Sequence, residues 1–460
     1  MARVGLLPLY IELYDEACPE MRPEVEAFYE RIAGELRRRE LEVCTRPICR
    51  RAEEFAAAVA AFEELGADAL VTLHLAYSPS LEAERALRET RLPILVLDTT
   101  PDYAFDFRVE AGRISYNHGI HGVQDMCSLL VRYGVKFEIF AGHWERSDVL
   151  DRLARAALAA SMATRMRTAR VGIIGEPFRG MGDFALPAPE LEEKLGLTVV
   201  PYDMEAGAYR VGDVLKWDVE REMVQDFDGF RVAGSLDREQ YFPSGRMGLA
   251  LRRWIEEEQL TAFTMNFLEA GKPGFPVVPF AEASKQMDRG VGYAGEGDVL
   301  TAALVGALLG RYPRTTFAEM FCPDWRGGSV FFSHMGEFNL KVSARMPRLA
   351  QIPFPYTPAP DPVVLLASFR AGQACFVNLA PGPEGGFTWI VAPGRMLEAP
   401  DDALPGTVAG WFKPRETLGT FLEAYSRQGG THHGALVYDA DVQDLAMFGH
   451  MMGWNTRIIG

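Results

Sequence analysis

The 460-residue chain reads as an α/β protein: two doubly wound, parallel-sheet units, then a β-rich, antiparallel, barrel-like C-terminal domain. Three observations predict this. Strand-like and helix-like segments alternate up to about residue 165, the pattern of a parallel sheet wrapped by helices. A second such alternation starts near Arg170. After about residue 340 prolines accumulate (Pro347, Pro353, Pro355, Pro358, Pro360, Pro362) between short apolar runs, as in an antiparallel sheet or barrel. The length exceeds what one core supports, and boundaries are expected at 1–166, 167–322 and 323–460.

In the first unit Val4–Tyr10 is an apolar strand. Met21–Arg38 has helical spacing, with Val25, Phe28, Ile32 and Leu36 on one stripe. Strands are expected at Leu41–Cys44, Ala69–Leu73, Ile94–Asp98 and Phe137–Ala141, and a helix at Ala52–Leu65. Ligands of parallel sheets gather at the carboxyl ends of the strands, where His74, Asp98 and His143 fall. His118 and His121, in SYNHGIHG, stand near a helix start.

The second unit opens with strands Val171–Gly175 and Thr198–Tyr202, separated by the loop GEPFRGMGDF. That loop has neither GxGxxG nor GxxxxGK[ST], so no nucleotide-phosphate cradle is read there. A helix over Ser244–Glu258 is expected to start just after Pro243, and a strand Ala262–Asn266 follows. Gly292–Gly297 reads as a glycine-rich turn, and Val299–Leu309 as a buried helix with Asp298 as N-cap. Two apolar runs, Thr315–Phe317 and Ser329–Phe332, flank the turn Gly327–Gly328 and deliver Glu319 and Glu337 near their ends, with His334 beside the second.

The C-terminal domain offers strand-like runs at Val363–Phe369, Ala374–Leu379, Phe387–Val391 and Ala435–Tyr438, and a last helix at Val442–Met451. Lys413, in GWFKPRET, has no evident partner.

With 63 acidic and 47 basic residues the net charge is −16, which argues against a nucleic-acid partner because no cationic surplus is available for phosphates. The six cysteines form no CxxC pair and suit a reducing cytoplasm. Neither a signal-peptide pattern nor a run long enough to cross a membrane is read.

One glutamate ending an apolar run is more often a salt-bridge partner or a helix cap than a ligand. Two such carboxylates with a nearby histidine doublet, His432-His433, point instead to a divalent-metal or acid/base site. Neighbours on a strand face opposite ways, so one of the two histidines at most is expected to face the site. Mixed oxygen and nitrogen ligands suit Mn²⁺, Co²⁺ or Mg²⁺ better than structural zinc.

At these residues the sequence resembles the L-arabinose isomerase and L-fucose isomerase superfamily, most closely the arabinose branch, over most of the chain. The segments that carry the resemblance are Gly292–Ala303 (GYAGEGDVLTAA), Phe317–Glu319 (FAE), Ser333–Glu337 (SHMGE) and Gly429–His433 (GGTHH), with weaker echoes at His74–Pro79, His121-Gly122 and Gly142–Trp144. The resemblance implies a cytoplasmic Mn²⁺-dependent aldose–ketose isomerase acting through an enediol. Glu319, Glu337 and His433 would hold the metal, the two glutamates would move the proton, and His121, Phe267, Gln351 and His432 would contact the sugar. It also implies a trimer-based homo-oligomer whose active site lies at a subunit interface, with His121 donated by a neighbour. The chain departs from the arabinose pattern near Gln351 or Ile352, where that branch has a histidine, and at Phe317–Trp325 and Pro8–Glu16, where pocket polarity has changed. The reading is therefore an isomerase of an unphosphorylated or modified sugar. The alternatives are other metal-enediolate chemistry, such as epimerisation, and a non-catalytic sugar-binding protein.

Overall fold

The computed structural model describes residues 2–400 and 403–460. The chain forms two compact units, Met1–Thr164 and Arg165–Gly460. In the first, strands β1 (Arg3–Leu9), β2 (Glu42–Thr45), β3 (Ala69–His74), β4 (Ile94–Asp98) and β5 (Phe137–Ala141) make one parallel sheet in the order β2-β1-β3-β4-β5. Helices α1 (Leu13–Ala17) and α2 (Arg22–Arg38) follow β1, α3 (Ala52–Glu64) follows β2, and α4 (Ser80–Glu89) follows β3. The connection from β4 to β5 carries α5 (Ile114–Asn117) and α6 (Gly119–Arg132), and α7 (Val149–Arg167) leaves β5. Every strand expected here forms within a residue or two of its predicted bounds, because buried apolar runs between amphipathic helices leave few alternatives.

The second unit contains two layers. Its first is a parallel sheet of β6 (Arg170–Ile174), β7 (Thr198–Pro201), β9 (Ala262–Met265) and β10 (Gly292–Gly295), ordered β10-β9-β6-β7. Helices α8 (Ala188–Leu195), α9 (Met204–Gly212), α10 (Lys216–Gly229), α11 (Arg238–Glu257), α12 (Phe280–Asp288) and α13 (Val299–Leu309) accompany it, and β8 (Arg231–Val232) sits after α10. Helix α13 is buried on all sides, as its uninterrupted apolar sequence requires.

The other layer is an antiparallel barrel. Strands β11 (Thr315–Asp324), β12 (Ser329–Ser333), β15 (Gly372–Pro381), β16 (Phe387–Met396), β17 (Gly410–Pro414) and β18 (His433–Tyr438) run β15-β18-β11-β12-β17-β16, and a β15–β16 ladder closes the ring. Strand β13 (Arg348–Gln351) pairs with β8 on one side and β14 (Val363–Leu366) on the other in a separate small sheet. Helix α14 (Leu418–Arg427) precedes β18, and α15 (Val442–Met452) leads to β19 (Asn455–Ile458), which lies parallel to β16. No helix among the described residues is long and apolar enough to cross a membrane.

Three expectations are corrected. Gly292–Gly295 is a buried strand, not part of a turn: it pairs with β9, and Gly295 is required because a Cβ there would lie 2.7 Å from the His334 ring. Helix α11 starts at Arg238 rather than after Pro243, since Asp237 and Gln240 form a reciprocal capping box and Pro243 is absorbed within the helix. Strand β11 runs on past Glu319 to Asp324 through a bulge between Met320 and Cys322, so Glu319 lies within a strand and Glu337 in the loop after β12.

Candidate metal centre

The barrel register assembles the site. Glu319 on β11 is paired with His433 on β18 and with Ser333 on β12. Directly opposed residues of antiparallel strands share a face, so Glu319 and His433 project together and His334 follows immediately from the other neighbour. The parallel sheet supplies a second carboxylate. Just beyond β10 the chain turns at Glu296, a buried non-glycine residue with φ +63°. A left-handed residue of this kind costs free energy that the surrounding packing must offset. Here the Glu296 N–H donates to the Met265 carbonyl, and the Glu296 carbonyl accepts from Phe178 N–H.

Two overlapping sets of ligand atoms result: Glu296, His432 and His433, and Glu319, His334 and His433, each with its atoms within 4.8 Å of one another. His433 Nε2 lies 3.5 Å from Glu296 Oε2, and His334 Nε2 lies 3.8 Å from Glu319 Oε2. His432 Nε2 is 3.9 Å from both Glu296 and Glu319. Both histidines of the doublet therefore aim at one carboxylate. The expectation of opposite faces fails because β18 begins at His433, leaving His432 off the strand.

Each imidazole is held from behind. Asp298 caps α13 with Oδ1 and holds His433 Nδ1 at 3.0 Å with Oδ2. His432 Nδ1 sits 2.6 Å from Asp183 Oδ2, in the loop after β6. His334 Nδ1 sits 2.6 Å from Glu337 Oε1, which also accepts from the Tyr293 hydroxyl at 2.9 Å. Asn378 fixes the turn before β18 by donating to Thr431 Oγ1 and the His433 carbonyl. Phe184 stacks on His433 at 4.8 Å, and Phe317 meets the edges of His334 and His433.

Burial by itself would raise Glu296, but the His432 and His433 imidazoles beside it override that and hold the carboxylate at about 2. Burial by itself would lower the histidines. Asp298 and Glu296 instead lift His433 to about 9, and Glu337 and Glu319 raise His334. Three buried atoms, His334 Nε2, His433 Nε2 and Glu337 Oε2, have no hydrogen-bond partner. Two imidazole nitrogens left bare beside two carboxylates are what a divalent cation would satisfy, and the oxygen–nitrogen donor set suits Mn²⁺, Co²⁺ or Mg²⁺.

The other expected site residues fall as follows. Glu337 belongs to neither ligand set and stands behind His334. Phe267 is buried against Phe178 and Phe354, one side chain away from the Glu296 turn. Gln351 donates its side-chain amide to the Asp361 carbonyl. His121 lies in the other unit, exposed, with its ring 5.4 Å from that of His118. Sequence reasoning missed Glu296, Asp298 as the anchor of His433, and Asp183. The available signal was GEGD, a carboxylate at the carboxyl end of a parallel strand one residue before glycine and a cap.

Residues 189–309 match the family model for the central domain of L-arabinose isomerase, and residues 314–455 that for its C-terminal domain. An L-arabinose isomerase of Herpetosiphon aurantiacus is 26% identical, with 82% of this chain and 77% of that protein covered. L-arabinose isomerase 1 of Bacillus licheniformis is 26% identical, with 86% and 82% covered. An L-arabinose isomerase of a Nocardioides species is 28% identical, with 83% and 78% covered.

Proposed function

The chain belongs to the L-arabinose isomerase family as a divergent member, and from that premise we propose that it is a metal-dependent aldose–ketose isomerase acting on an unphosphorylated sugar. The observation that carries the reading is the pair of ligand sets sharing His433, with bare imidazole nitrogens buried between carboxylates. Glu296, Glu319, His334 and His433 would hold the ion, with His432 at its margin. A divalent ion there would polarise the sugar carbonyl and stabilise the negative charge that develops beside it.

The remaining work falls to side chains. Glu319 is the most open carboxylate of the set, its side chain 21% exposed against 7% for Glu296, so it is the group placed to carry a proton between C1 and C2 through an enediol. Glu337 keeps the His334 proton on Nδ1 and turns Nε2 toward Glu319. Phe184 and Phe317 cover the imidazoles and limit water around them. His121 completes the site from the neighbouring subunit of a homo-oligomer.

The test is metal content of the wild type and of Glu319→Gln, joined to a Mn²⁺-supplemented screen of pentoses, hexoses and deoxysugars for ketose formation. Wild type should hold one ion per chain and convert one sugar class, and Glu319→Gln should lower kcat by roughly 10²–10⁴-fold. Product epimers in place of ketose would assign the site to other enediolate chemistry. A wild type that binds sugar but never metal would make it a binding protein.

A further inference from the structure

Where β15, β16 and β17 run side by side, three cations share one small cavity. It measures about 260 Å³ and is lined by Gln373, Gly394, Arg395, Lys413, Pro414 and Arg415. The register explains the grouping. On adjacent strands β15, β16 and β17, Gln373 is paired with Arg395 and Arg395 with Lys413, so the three side chains form a row on one face. Arg415, just past the end of β17, lines the same cavity.

The row makes no direct ion pair. Among the described residues the Arg395 and Arg415 side chains make no hydrogen bond or ion pair, and Lys413 Nζ reaches only the Gly327 carbonyl, at 3.4 Å. Like charges directly opposed across a ladder destabilise the sheet unless something neutralises them. Acids outnumber bases 63 to 47 in this chain, and many of its other arginines have a carboxylate within reach. Two planar guanidinium forks, one ammonium and one amide converging on a cavity of this size form a receptor for tetrahedral oxyanions.

We propose that the Gln373–Arg395–Lys413 row, with Arg415, is a binding site for a small phosphate-bearing anion, separate from the metal centre. It does not depend on the isomerase reading, since none of its residues belongs to either ligand set.

The experiment is calorimetric titration of the full-length, metal-loaded protein with inorganic phosphate and, separately, glycerol phosphate, at ionic strength matched with sodium chloride. Saturable binding of one phosphate per chain is expected, weakened at least tenfold in Arg395→Gln/Lys413→Gln and retained in the charge-conserving Arg395→Lys/Lys413→Arg. Metal content and basal turnover should be unchanged in both variants. Tighter binding of glycerol phosphate would identify an ester as the ligand, and preference for inorganic phosphate the free ion. Binding that is equal in wild type and the glutamine variant, or that sodium chloride reproduces, would overturn the proposal.

Discussion

Asp298 uses its two oxygens for two tasks, and the chemistry of asparagine separates them. Asparagine caps a helix about as well as aspartate, so Asp298→Asn should keep the bond that Thr301 N–H of α13 donates to the side-chain oxygen of residue 298. Its other terminus becomes an NH₂ donor, which forces His433 to accept at Nδ1 and to carry its proton on Nε2, the atom aimed at Glu296. The expected result is a melting temperature close to wild type and Mn²⁺ affinity lowered by roughly 10–100-fold. Metal titration followed by electron paramagnetic resonance measures this, and an unchanged affinity would show that Asp298 is only a cap. At this scale the sequence was partly legible. Glu319 and His433 stood out by residue type and motif. Glu296 did not, because a carboxylate inside a glycine-rich run reads as turn until the parallel strand beneath it is known. His432 was expected at the sugar and not beside the metal, because the argument that only one of the doublet faces a site holds only inside the strand, and β18 begins at His433.

Helices α10, α11 and α12 are tied by a buried charge network. Arg252 on α11 donates to Glu222 on α10 and Glu282 on α12, and Lys285 reaches Glu222 at 2.8 Å and Asp226 at 2.9 Å. The tie serves the site, because Ser284 on α12 accepts from Phe338 N–H, next to Glu337. Burial would raise Glu222, but Arg252 and Lys285 override it and hold it at about 2, below its ordinary 4.5. A depressed carboxylate contributes stability that is fully present above its unfolded value, so the contribution fades as pH falls from about 4.5 toward 2. Glu222→Gln should cost about 3 kcal/mol near neutrality, and the gap from wild type should narrow steadily below pH 4.5. Urea midpoints at pH 7, 4 and 3 report it, and a gap independent of pH would mean the cost is packing alone. None of this was readable from the chain, because the network joins residues from three helices that only the fold brings together. Local signals fared better: α13 matched its predicted bounds because cap, apolar run and terminal glycine agree, whereas α11 was misplaced because Pro243 outweighed the Asp237–Gln240 capping box in the reading.

For the whole molecule, the order of sheets and barrel followed from where periodicity changes, but the strand order within the barrel did not. Insertion of β18 between β15 and β11, which sets Glu319 beside His433, depends on pairing β18 with β11 across more than a hundred positions, and no local pattern encodes it. The same separation of scales bears on assembly. If a neighbouring chain supplies His121, a site needs Glu319 from one chain and His121 from another. His121→Asn and Glu319→Gln would each be nearly inactive as homo-oligomers. In oligomers formed by co-expressing the two, a site is intact whenever a His121→Asn chain supplies Glu319 and a Glu319→Gln chain supplies His121. Random mixing of equal amounts makes that about a quarter of all sites in a closed homo-oligomer. Turnover of the purified mixture should therefore recover to roughly a quarter of wild type. Mixing the two proteins after separate purification, without dissociating them, should recover nothing. If co-expression restores no activity while both variants remain folded and assembled, each chain carries its own complete site, and the neighbour's part in the reaction is excluded.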